Sequence, residues 1–363
     1  MRMRKALSSG LLAAAALALA PHTASAWSPR LEVDENTWVQ LGYLHQFWYE
    51  TVEDRTADGS NSNDFFTRRN RVMLLGQAAE NVHFFLNYDA PAGAAGPGAN
   101  NPVLTDAMID FRIQREFSIV LGRQLVPFSV DNQASAVTLP AIDYPTRALA
   151  NQPTVAAGAF WRDDGISIRG HLGDGTFDYR LGYFRGTRDD GLNPGGEGRF
   201  TGMMMVNLGA AQGWFFNTNS LGALDVLSFG VGYDHMSRSD SDDHKAISLF
   251  AIAEQTVGAG HLSAKAAYYD WEGVGGPGGA FWDGGSTAQV TVAFKPDGSD
   301  WQPVVRWQHQ DPDNGSKLDT VGIGLNYYIS GHRANIKAEY SIDDMVIGGE
   351  KKNAFRIQTQ LFF

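Results

Sequence analysis

A set of basic side chains falls inside stretches of this chain where polar and apolar residues alternate: Arg69, Arg71, Arg112, Arg123, Arg169, Arg180, Lys265, Arg306, Arg333, Lys337 and Arg356. Arg147 joins them from a long connection between two such stretches. Alternation puts every second residue of a strand on one face, so each cation of the stretches is assigned to a wet face. Cations ranged along a low-dielectric wall focus their field and concentrate anions. Acids on the same faces are fewer: Asp106, Asp110, Asp178 and Glu339. The others gather in presumed outer connections, as Glu53, Asp54 and Asp58, then Asp240, Asp242 and Asp243, then Asp343 and Asp344. Two readings stand together here. The cations select anions, or they pair with carboxylates and order the wall.

Other chemistry is poorly supplied. The chain has no cysteine, which removes disulfides, thiolate metal sites and cysteine nucleophiles. Its histidines form no H-E-x-x-H and no ligand spacing beside carboxylates, so neither a metal nor a cofactor is expected. No G-x-S-x-G occurs. The glycines from Gly273 to Gly279 lack the strand-to-helix setting of a phosphate cradle. His83 and His171 fall among the wet-face candidates without a catalytic partner.

The elements that position the cations read as strands. Val39, Leu41, Tyr43, Phe47 and Tyr49 alternate with Gln40, Gly42 and Gln46; Val321, Ile323, Leu325 and Tyr327 alternate with Thr320, Gly322, Gly324 and Asn326. Sixteen such segments run at about 37–50, 64–78, 81–90, 103–115, 117–126, 161–173, 176–186, 200–212, 222–236, 245–256, 260–271, 282–295, 300–310, 317–330, 332–343 and 352–363. Their connections alternate between short turns and longer Gly/Pro/Asp-rich loops, the rhythm of a transmembrane barrel with short periplasmic and long external connections. Only the 213–221 connection fits it poorly. In the last segment Phe355, Ile357, Leu361 and Phe363 share one parity, while Arg356, Gln358 and Gln360 share the other. A lipid-facing Arg costs roughly 2–4 kcal/mol at the midplane, so Arg356 is assigned inward. Phe363, closing an alternating strand, reads as the assembly signal of an outer-membrane barrel.

At the other end, Arg2, Arg4 and Lys5, the apolar run Leu11 to Ala20, and Ala24-Ser25-Ala26 form a cleavable export signal over 1–26. Residues 27–363 are expected to form a single barrel domain. Beyond the leader, no apolar run of 18 or more residues offers a membrane helix. A formal charge of −11, with 29 basic against 40 acidic residues, makes nucleic acid an unsuitable partner. Trp38, Tyr43, Trp48, Tyr88, Trp214, Tyr268, Trp271, Trp282, Trp301 and Tyr327 are candidates for interfacial girdles. The external acids are either solvated or bridged by divalent cations to lipopolysaccharide phosphates.

Several stretches resemble the phosphate-selective porin O and P family: Arg68-Arg69-Asn70-Arg71-Val72, Thr105 to Phe111, Leu121 to Phe128, Gly322 to Tyr328, and Phe355-Arg356-Ile357-Gln358. The resemblance implies a homotrimeric, all-β antiparallel barrel of 16 strands in a Gram-negative outer membrane. It also implies a third loop folded inward, for which 127–160 is the candidate. Arg147 would then either meet solute at a constriction or be pinned to the wall by Asp143 or a barrel acid. Family members commonly carry Lys before Val-Pro-Phe, where this chain has Leu125. The expectation is therefore a passive pore for small hydrophilic solutes, preferring anions in general over phosphate in particular. An outer-membrane enzyme, and a structural barrel sheathing another protein, are the alternatives.

Overall fold

A computed structural model describes residues 28–90, 102–149, 161–186, 198–237, 243–273, 284–347 and 349–363. The expected leader, 1–26, lies outside the described residues. The strands are β1 (Leu31–Asp34), β2 (Thr37–Val52), β3 (Ser62–Ala79), β4 (Val82–Asp89), β5 (Val103–Gln114), β6 (Phe117–Leu125), β7 (Arg162–Leu172), β8 (Phe177–Phe184) and β9 (Arg199–Asn207). They continue as β10 (Val226–Met236), β11 (His244–Thr256), β12 (Gly260–Glu272), β13 (Gly284–Pro296), β14 (Trp301–Pro312), β15 (Leu318–Ser330), β16 (Ala334–Ile347) and β17 (Glu350–Phe362). From β2 to β17 each strand pairs antiparallel with the next, and β17 closes the ring on β2 through Phe362↔Leu44, Gln360↔Gln46 and Arg356↔Glu50. Each of the sixteen expected segments overlaps one strand of this closed barrel. The short β1 is an addition, folded back on the start of β2.

The alternation explains the closure. Along β11 the side chains of Ser248 and Ile252 are fully covered inside, whereas Ile247 and Leu249 are 49% and 53% exposed outside. Val72, Ile109, Leu121, Ile166, Val231, Val305 and Ile323 continue this exposed apolar belt. Gln46, Arg69, Asp110, Gln289, Arg306 and Glu339 are buried within. A water-soluble core has the opposite arrangement. Apolar surface returns about 25 cal/mol per Å² when removed from water, and a bilayer is the solvent that covers this belt. Closing the ring pairs the strand edges that would otherwise be costly in hydrocarbon.

Two segments run inside the ring. Residues 126–149 follow β6 and begin with the single-turn helix α1 (Val130–Gln133), capped by Ser129, whose hydroxyl accepts from Asn132 N–H. Phe128 packs between Tyr269 and Trp271 at centroid distances of 5.9 and 5.6 Å. Gly232 permits this approach, because a Cβ there would stand 1.7 Å from the Phe128 carbonyl oxygen. Farther along, inward side chains bind the segment's carbonyls: Gln46 donates to Ala136, Asn326 to Pro140 and Thr287 to Ala148.

The second segment is 208–225, which contains the 213–221 connection that fits the rhythm poorly. It forms a bridge with the first, Phe216 N–H donating to Gln133 O and Ser135 N–H to Phe216 O. Arg180 caps the carbonyls of Gly213 and Trp214. Asn219 bonds Gln302 and Tyr328, and the carboxylate of Glu254 accepts from Ser220. Its length goes into filling the lumen.

Candidate functional site in the lumen

The inward cations are almost all engaged. Arg69 and Arg68 share Asp143 at 2.6 and 2.8 Å, tying β3 to the inner segment. Arg112 and Arg169 share Asp110 at 2.7 and 2.6 Å. Arg306 and Arg356 meet Glu339, Asp344 and Glu50. Arg71 pairs with Asp89, Arg162 with Asp106, Arg180 with Asp178, Arg199 with Asp234 and Lys265 with Asp131. Lys337 donates to the carbonyls of Leu139 and Ala141. Arg147 donates through Nε to the Asp344 carbonyl at 3.1 Å, and its backbone N–H donates to Gln308. It is pinned to the wall through Asp344, on a carbonyl instead of an acid.

Charge balance follows from the sharing. Two arginines face one aspartate at Asp143 and again at Asp110, and Lys337 rests on neutral carbonyls, while Arg147, Arg306 and Arg356 balance the three acids Glu50, Glu339 and Asp344. Against these stand Glu254 and Asp163, which are bound by hydroxyl and backbone donors. A small cationic excess remains. At Asp143 burial alone would raise the carboxyl's pKa, but Arg68 and Arg69 outweigh it and hold the group well below the usual carboxylate range. The aspartate therefore stays ionised and keeps one arginine charge in surplus.

Accessibility is uneven around the ring. The inward residues Ser228, Ser248, Thr287, Gln302 and Gln358 of β10–β17 are completely covered. On the opposite wall Arg112 keeps 49% of its side chain exposed, Arg68 29% and Arg169 15%. Water-accessible cationic surface thus lies along β3–β8.

The structure corrects several placements. Arg123 pairs across strands with Ala107 and Asp164, in the same parity as Leu121 and Ile166, so it faces outward. There it makes a bidentate ion pair with Asp164. Near the end of β6 the lipid penalty falls to ~0–1 kcal/mol, which is why an outward Arg is tolerated. Arg333 sits half-buried in the turn between β15 and β16, off the strand wall. Asp344 belongs to β16 and points to Arg306 and Arg356, not to an external loop. Trp38, Trp48 and Trp271 are buried inside, and Trp214 rests against Arg169 in the lumen. The outward aromatics are Tyr88, Tyr268 and Trp301, with Tyr43 beside Phe363 and Tyr327 beside Trp301. Trp282, Asp240 and Asp242 lie outside the described residues. Sequence reasoning missed Arg68, Arg162 and Arg199, and the acids Glu50, Asp89, Asp131 and Asp234 that answer the cations. Parity along their own strands could have found Glu50 and Asp234. Among the described residues no three His, Asp or Glu side chains gather at metal-binding geometry.

Comparison with solved structures agrees with this architecture. The anion-selective porin of Comamonas acidovorans superposes with a TM-score of 0.63 at 15% identity, covering 90% of this chain and 100% of that one. Salmonella typhi OmpF, solved with daunomycin, gives 0.63 at 12% identity over 92% of this chain and 100% of that one. The trimer form of OmpT from Vibrio cholerae gives 0.56 at 12% identity, covering 91% and 100%. Compared with curated protein sequences, the chain finds no match. The sequence profile of one family, phosphate-selective porin O and P, matches residues 40–272. With that match spanning more than half of a closed sixteen-stranded barrel whose lumen is polar and whose outside is apolar, the chain is a channel-forming outer-membrane porin and belongs to the phosphate-selective porin O and P family.

Proposed function

We propose that this porin is a passive, general diffusion channel with a moderate preference for anions, assembled as a homotrimer. The observation that carries the preference is the two-to-one sharing of Asp143 and Asp110 by arginines. Pairing of the remaining cations keeps it moderate. The constriction lies between the 126–149 segment and the β3–β8 wall, where Arg68 remains accessible to solute, and Arg112 is accessible nearer the barrel's rim. Specific phosphate capture is disfavoured, because Leu125 is 2% exposed and brings no charge to the family's lysine position.

The comparison proteins point the same way, one being described as anion-selective and another as a trimer form. A barrel that merely sheathes a partner would need an empty lumen, whereas this one is crossed by its own segments. The leader expected at 1–26 supports export through the periplasm. At the outer surface, hydroxyls of Thr56 and Ser60 lower the pKa of Asp58 to about 2. That exposed carboxylate suits cation-bridged contact with lipopolysaccharide phosphate. The phosphate question is tested in planar bilayers carrying chloride current. Millimolar phosphate leaves the current unchanged if the pore is general, and a saturable block refutes that reading.

A further inference from the structure

Two adjoining cavities, about 500 and 380 Å³, open near the periplasmic rim and share Arg112, Arg169 and Trp214. One adds charge, from Arg115 and Arg180 against Asp178. The other adds an apolar wall built from Trp38, Leu75, Phe85, Met108 and Phe215, together with Arg30, His83 and Asp110. The divider between them is the inward 208–225 segment, which brings Trp214 within 4.6 Å of the Arg169 guanidinium and 5.8 Å of that of Arg180. Phe215 meets Phe85 edge-on at 5.4 Å.

Within this junction Asp110 Oδ1 finds no donor, and among the described residues Trp214 Nε1–H and Arg169 Nε–H are buried donors without an acceptor. A buried unmade hydrogen bond costs about 1–3 kcal/mol, so both favour an incoming acceptor. Arg112 supplies the accessible charge, since its one carboxylate, Asp110, is shared with Arg169. Aromatic faces beside guanidinium groups accept planar ligands.

We infer that this junction is a binding site for planar organic carboxylates, with the carboxylate on Arg112 and Arg169 and the ring against Trp214 and Phe215. The inference rests on the channel reading and names a solute class for it. Inorganic phosphate would use only the charged half, and an aliphatic carboxylate as small as acetate would leave the aromatic half empty.

The test uses benzoate and acetate on the full protein. In planar bilayers, benzoate reduces chloride current at a concentration at least tenfold below that needed for acetate. Trp214→Ala removes that difference, and Trp214→Phe, which keeps a ring, retains most of it. Calorimetry of the detergent-solubilised protein with benzoate reads the site even if no current is seen, separating failure of the site from failure of the channel. Equal potency of benzoate and acetate, or benzoate binding untouched by Trp214→Ala, overturns the proposal.

Discussion

Replacing Asp143 by Asn leaves the surplus around Arg68 and Arg69 one charge larger without altering side-chain size. Both guanidinium groups now lie within 3 Å of the aspartate, so the pair's charge is half cancelled at its source. An ion passing at about 6 Å in water experiences one extra unit charge as ~0.7 kcal/mol. Anion and cation feel it with opposite signs, so their ratio shifts by ~1.4 kcal/mol, about tenfold at low salt. At about 0.15 M, where the Debye length is ~8 Å, roughly half of that energy survives, leaving a threefold change. Zero-current potentials measured in KCl gradients at both ionic strengths read this ratio. The variant also loosens the inner segment, because Arg69 loses a buried partner, so Arg68→Gln in the same background is the control. It returns the ratio to its original value if net charge is the cause. An unchanged ratio in Asp143→Asn, or one shifted toward cations, refutes the reasoning.

Other consequences concern assembly, pH and anchoring. Deleting Phe363 removes two backbone hydrogen bonds with Tyr43, at 2.8 and 3.1 Å, and a ring contact at 5.7 Å. Outer-membrane insertion then falls while export continues, as fractionation and heat-modifiable gel migration report. His332, in the short turn between β15 and β16, has its pKa lowered by burial from 6.5 to about 4 while it donates to the Asn219 carbonyl. Its neutral ring therefore contributes stability that is complete above pH 6.5 and is lost as pH falls toward 4. Limited proteolysis of the 208–225 segment accordingly increases between those values, and His332→Gln flattens the profile. Asp131 accepts from Lys265, Tyr269 and Gln289. Asp131→Ala leaves Lys265 buried without its acid, a loss of about 3–5 kcal/mol. Single-channel conductance rises as that end of the inner segment detaches, and thermal unfolding moves down.

The sixteen strands were legible because lipid on one side and water on the other impose period-two alternation, which a single sequence records directly. β1 was not, since Leu31 and Val33 are only two alternating positions and stay 72% and 81% exposed. In the structure Arg69, Arg112, Arg169, Arg306, Lys337 and Arg356 turn inward, the side to which parity assigns them. It failed at Arg123 because the penalty that enforces parity vanishes near strand ends, where Asp164 offsets the charge. Aromatics misled for a related reason: an inward Trp meets no penalty when a segment such as 126–149 covers it, as for Trp48 and Trp271. The pairing partners were the least legible. Asp143 reaches Arg69 from 74 residues away, and Asp131 reaches Lys265 from 134, contacts that the inward folding of 126–149 creates. The 208–225 segment showed only through the irregular 213–221 connection within it, and its destination depends on a bridge to 133–135 that no local pattern encodes.

A lumen whose cations narrowly outnumber its acids, inside a chain of net negative charge, is the central claim. The zero-current potential of the wild-type channel across a tenfold KCl gradient at neutral pH tests it most directly. A potential of the sign set by chloride, clearly below the ideal chloride limit, is the expected result. A potential of the sign set by potassium contradicts it, because the paired arginines would then leave no cationic excess for a passing ion to feel.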